Sequence, residues 1–65
     1  MLILGLEYDI GFLEELRGIS RDQILLEAVV NCRDLDTLYD LKMSNVDFYG
    51  ILADAIIDYL NELQR

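Results

Sequence analysis

Asp47, Asp54 and Asp58 are spaced seven and four residues apart. On a helix that spacing keeps them within about 40° of one another, with Asp54 and Asp58 about 6 Å apart along the axis. Asp36 and Asp40 repeat the four-residue step just upstream. Clustered carboxylates support three kinds of chemistry: acid–base catalysis, cation binding, and docking against positive charge.

Catalysis lacks its usual parts. The chain contains no His, which removes the commonest general base and the usual acyl-transfer triads. Cys32 is the single cysteine and has no imidazole to activate it. Lys42 is the single lysine, and the acids near it in sequence keep it protonated and poorly nucleophilic. A chain of 65 residues cannot both bury a carboxylate pair and shape a pocket of about 300–1,000 Å³ around it. We therefore expect no enzyme and no cofactor.

Cation binding fails on pattern. Asp34-Leu35-Asp36 opens like a calcium loop, but Leu38, Tyr39 and Asn45 stand where an oxygen ligand, a glycine and a glutamate are required. The aspartates here read better as helix caps. No glycine-rich phosphate loop is present either, since Gly5 to Gly11 has neither the spacing nor a following lysine.

Docking survives. Thirteen acids oppose five bases, for a net charge of −8. Residues 1–33 hold six acids and three bases, and residues 34–65 hold seven and two, so both halves repel phosphate. The expected partner is another protein with a basic surface, met by an acidic face of Asp36, Asp40, Asp47, Asp54 and Asp58. Tyr39, Tyr49 and Tyr59 are candidate aromatic contacts, because a tyrosine ring buries area while its hydroxyl stays polar.

These residues must be held by helices, and with no Pro in the chain caps supply the punctuation. Ser20-Arg21-Asp22-Gln23 is a capping box, flanked by Ile19 and Ile24 as a hydrophobic staple. It predicts a helix from Arg21 to about Asn31 that buries Ile24, Leu25, Ala28 and Val29. Ser44-Asn45-Val46-Asp47 repeats the device more weakly, with Met43 and Phe48 as the staple. It predicts a long helix from Asn45 to about Leu63. That helix is apolar around most of its girth, so it is either central to the core or covered by a second chain. Asp34 or Asp36 caps a short helix presenting Leu35, Leu38 and Leu41. Asp9 caps one from Ile10 to Arg17, with Tyr8 and Leu13 as the staple and Gly18 closing it.

Residues 37–52 resemble a helix-turn-helix, with Met43-Ser44 as the turn and Val46, Phe48, Ile51 and Leu52 facing inward. The resemblance implies a shape. It does not extend to base readout: Lys42 and Leu38 stand where Gly and Ala are usual. The second helix opens with Asp47 and Tyr49 and carries no base before Arg65.

Leu2, Leu4, Leu6, Tyr8, Ile10 and Phe12 alternate at strand period. A strand here implies pairing with another chain, because a lone strand has no ladder partner. An early start to the first helix is the competing reading.

Composition settles the class. Hydrophobic residues make up 54% of the chain, which excludes disorder. One cysteine excludes an internal disulfide framework and fits a reducing cytoplasm. No uncharged run exceeds six residues, far short of the roughly 20 that span a membrane.

The expectation is an all-α domain spanning residues 1–65. Three or four short helices form a compact bundle with a long C-terminal helix, and residues 1–8 form a strand or arm. The expected core is Ile10, Leu13, Leu16, Ile24, Leu25, Ala28, Leu35, Leu38, Leu41, Phe48, Leu52, Ala55, Ile56, Tyr59 and Leu60. The expected function is a small acidic regulator, inhibitor or antitoxin-like protein that binds another protein and forms a dimer when alone. Two alternatives stand beside it: a homodimeric helix-turn-helix regulator that binds DNA, and a structural oligomerisation subunit.

Overall fold

A hairpin opens the chain. In the computed structural model, which describes residues 1–63, strands β1 (Leu2–Ile3) and β2 (Leu6–Glu7) pair antiparallel, with Leu2 opposite Glu7 and Ile3 opposite Leu6. Leu4 and Gly5 form the two-residue turn with φ of 54° and 86°. Positive φ at both central positions is the type I′ requirement, and it matches the twist of the flanking strands. The strand therefore finds its partner three to five residues away in the same chain, which corrects the expectation of pairing with a second one. The turn also breaks the alternation: Ile3, Leu6 and Tyr8 are buried, while Leu2 and Leu4 are exposed.

Leu4 is costly where it stands. A side chain other than Gly in the left-handed region is disfavoured by about 1–2 kcal/mol. Leu4→Asn creates the Asn-Gly pair that type I′ turns prefer. We expect it to raise stability by about 0.5–1 kcal/mol in urea titration, after allowing for the apolar contact that the 43% exposed Leu4 side chain gives up. A loss of stability would show that this apolar contact outweighs the strain.

Four helices follow: α1 (Ile10–Glu15), α2 (Arg21–Val30), α3 (Leu35–Ser44) and α4 (Phe48–Leu63). α1 ends at Glu15 with Leu16 as its C-cap, two residues short of the expected Arg17, and Gly18 takes φ of 77° in the turn that follows. The Ser20 hydroxyl accepts from the Gln23 amide at 3.3 Å. The reciprocal half of the box is missing, because the Gln23 side chain donates to Glu27. Asp34 caps α3 by accepting from the Thr37 amide at 3.1 Å and from the Thr37 hydroxyl. These bonds hold its carboxyl below the usual carboxylate range.

Two caps differ from expectation. Asp9 makes no capping bond to α1; its carboxylate pairs instead with Arg33 at 3.1 Å. Ser44 is the last residue of α3 rather than the cap of α4, because Asn45 turns extended, with φ −146° and ψ 110°. The long helix therefore starts at Phe48, and the Met43–Phe48 staple does not form: Met43 is 84% exposed and Phe48 3%. Val46, expected to face inward, is fully exposed between the helices.

α4 is the central element. It packs most extensively on α2 and also touches α1, α3 and β1. Phe48, Leu52, Ala53, Ile56 and Leu60 are its buried residues. They join Ile3, Leu6, Tyr8, Leu13, Leu16, Ile24, Ala28, Cys32 and Leu38. Ile10 and Leu35, placed in the core by pattern, are more than half exposed, because each opens a helix where the neighbouring elements leave it uncovered. Leu25, Leu41, Ala55 and Tyr59 sit half-buried at the edge. The architecture is a small all-α bundle with an N-terminal two-stranded hairpin. Among the described residues no helix is long and apolar enough to cross a membrane. Arg65, the last base of the sequence, lies outside them.

Candidate protein-docking surfaces

α4 buries one side against the bundle and presents the other to solvent. Asp54 and Asp58 are on that outer side and exposed. Asp47 is exposed just before the helix, and its carboxylate lies over the first turn: a Cβ at Gly50 would meet its Oδ1 at 2.9 Å. Asp54 is partly engaged, since Arg21 reaches it at 3.1 Å and also donates to the Gly50 carbonyl. That contact ties the start of α2 to α4. Both partners are more than half exposed, so the pair contributes about 0–1 kcal/mol. Asp36 and Asp40 are exposed on α3. Among the described residues neither pairs with a base.

The three tyrosines do not gather. Tyr39 is 59% exposed on α3. Tyr49 is half-buried, with the Lys42 ammonium 5.4 Å from its ring centroid. Tyr59 packs against the core. Tyr49 precedes Asp58 by nine residues, which on a helix is about half a revolution. Tyr49 therefore faces away from Asp58, whereas Tyr39 stands three residues from Asp36 on α3, on the same side of that helix.

A surface the sequence reading passed over lies beside Tyr49. Asp22, Leu25, Leu26, Val29 and Tyr49 line an open trough of about 280 Å³ between α2 and α4. Leu26 is 55% exposed and Val30, one turn further, 71%. The signal was available in two adjacent pairs, Leu25-Leu26 and Val29-Val30. Consecutive helical residues differ by about 100°, so both members of a pair are covered only where neighbours pack on two sides of the helix.

One polar contact lies inside the fold. The Tyr8 hydroxyl donates to the Ala28 carbonyl at 3.0 Å, within the buried region. Near the end of α2 the Cys32 amide bonds the Val29 carbonyl, so it does not serve as the usual partner of Ala28. Tyr8 supplies that missing donor from the far side of the hairpin. Burial, and then the neighbouring Cys32, push the Tyr8 phenol well above its ordinary value. The Cys32 thiol reaches the Asp34 carbonyl at 3.5 Å. These donors serve helix ends, and Tyr8 also lines a small polar cleft with Glu7, Asp9, Phe12, Asn31 and Arg33.

No family model matches this sequence, and neither a characterised protein nor a solved structure is detectably similar to it.

Proposed function

We propose that this chain is a non-catalytic protein-interaction module that docks on a basic surface of another protein, and that alone it pairs with a second copy. The observation that carries the reading is the outer face of α4. The helix is anchored by five buried side chains, so Asp54 and Asp58, with Asp47 beside them, project from the most firmly held element. Rigid presentation lowers the ordering cost of binding, and clustered carboxylates select a positive partner and steer its approach. The same charge repels nucleic acid. α4 offers no base along Phe48–Leu63, which disfavours the DNA-binding alternative despite the tight α3–α4 connection.

The test is an NMR titration of the labelled protein with a lysine- and arginine-rich helical peptide, repeated with its glutamate counterpart. The expected result is saturable shifts at Asp47, Asp54 and Asp58 with the basic peptide alone, weakening as salt rises. Asp54→Asn together with Asp58→Asn should abolish them. Shifts spread evenly over the molecule, or absent, would overturn the reading.

A further inference from the structure

We propose that the partner docks as a basic amphipathic helix, which seats aliphatic side chains in a groove between the hairpin tip, α3 and α4 and lays its lysines and arginines along the outer face of α4. The inference rests on the docking proposed above and names the form of the partner.

Leu4, Leu41, Phe48 and Ile51 line an open groove of about 220 Å³ where these three elements meet. Ser44 and Asn45 complete it, so none of its six lining residues is charged. It is smaller than the roughly 300–1,000 Å³ of sites that enclose a small molecule. A space of this size takes one or two side chains of a larger partner, as the anchor pockets of protein interfaces do.

Leu4 points to binding rather than stability. It stands at φ 54°, where a side chain other than Gly is strained, yet 43% of it reaches solvent. Asn at this position would relieve the strain. A strained residue that its own fold only partly covers is characteristic of a site that holds something else.

Charge identifies the occupant. Ile51 belongs to the groove and to the acidic face at once. Its amide donates to the Asp47 carbonyl at 3.1 Å, which puts Asp47 one turn before it. By helical rotation Asp47, Asp54, Asp58 and Glu62 fall within about 60° of Ile51. All four are exposed. Arg21 pairs with Asp54, so four carboxylates and one guanidinium leave a net charge of −3 beside the groove. Lys42 lies over the Tyr49 ring, about 160° from Ile51 around α4.

Aliphatic side chains flanked by lysine or arginine match both halves of this surface. The carboxylates recur at steps of one and two turns along α4. A helix laid beside α4 presents its own i, i+4 and i+7 side chains at the same spacing. A second copy is disfavoured: its own α4 carries no base along Phe48–Leu63, and it brings a further charge of −8. Nucleic acid and anionic lipid are repelled by the same field.

Isothermal titration calorimetry of the whole chain with three designed helical peptides tests the proposal. The first carries a leucine stripe flanked by lysines. The second has glutamine in place of the leucines, and the third has glutamate in place of the lysines. The leucine–lysine peptide is expected to bind at least about tenfold more tightly than the glutamine–lysine peptide. The leucine–glutamate peptide should not bind. Leu4→Asn and Ile51→Gln, both at exposed positions, should each weaken the leucine–lysine peptide at least about tenfold and leave the glutamine–lysine peptide unchanged. Leu4→Asn is expected to fold at least as stably as the parent, so its lost binding is not lost folding. Equal binding of the two lysine peptides, or variants that bind as the parent does, would overturn the groove while keeping the acidic face. Failure of both lysine peptides to bind, or equal binding of the glutamate peptide, would overturn both.

Discussion

Replacing Leu52 with alanine is expected to cost about 2–5 kcal/mol, most of the stability a domain of this size possesses. Leu52 is fully buried. It stands on the helix that α1, α2, α3 and β1 all touch, so the space its side chain leaves is walled by several elements. Collapse into that space requires several of them to move together. The cost is the lost transfer energy of the side chain plus the cavity that remains. In thermal melts a loss of 2 kcal/mol corresponds to about 8–16 °C for so short a chain. Urea unfolding of the purified variant measures the loss directly. A cost under about 1 kcal/mol would mean that α4 is not the centre of the core.

Tyr8→Phe is expected to remove about 1–3 kcal/mol at neutral pH and also to change how stability responds to alkali. Phenylalanine fills the same space, so the loss isolates one hydroxyl. Without it the Ala28 carbonyl stays buried without the Tyr8 donor.

The alkaline effect follows from the raised phenol pKa. The unfolded chain releases its tyrosine protons near pH 10, whereas folded Tyr8 retains its own. Above that pH the unfolded state therefore binds fewer protons than the native state, and stability falls as pH rises. The contribution is complete below about pH 10 and declines above it by at most about 1.4 kcal/mol per pH unit. Urea unfolding from pH 8 to about 12 should show this decline in the parent protein. The Tyr8→Phe variant should show a shallower curve. Parallel curves would mean that Tyr8 ionises as easily folded as unfolded.

Much of the local structure was legible because it depends on neighbours within a turn or two. Ser20 and Asp34 mark helix starts through side chains that reach an amide three residues on, and Gly18 marks the turn after α1 by taking a positive φ. Such signals need no tertiary partner. The central place of α4 was legible too, since a helix apolar around most of its girth must be enclosed by something. The acidic face of Asp54 and Asp58 follows from the same helical spacing.

Other features depended on contacts that pattern cannot rank. Leu4 is a poor type I′ residue, so the hairpin was hidden in an alternation that looked like one continuous strand. It forms because Ile3, Leu6 and Tyr8 are buried against the bundle, and the burial of three large side chains outweighs the strain at one. Met43 and Phe48 have the spacing of a staple, but the extended Asn45 redirects the chain and leaves Met43 in solvent.

Composition and short-range spacing thus determined that this is an acidic helical domain, where α1, α2 and α3 begin, and which helix is central. Tertiary packing decided that residues 2–7 pair with themselves, that Tyr8 rather than a local residue bonds Ala28, and that Leu26 and Val30 are left outside. The division is physical. Caps and helical periodicity act over a few residues, whereas the choice of which apolar face is covered belongs to whichever elements reach it first and fill it best.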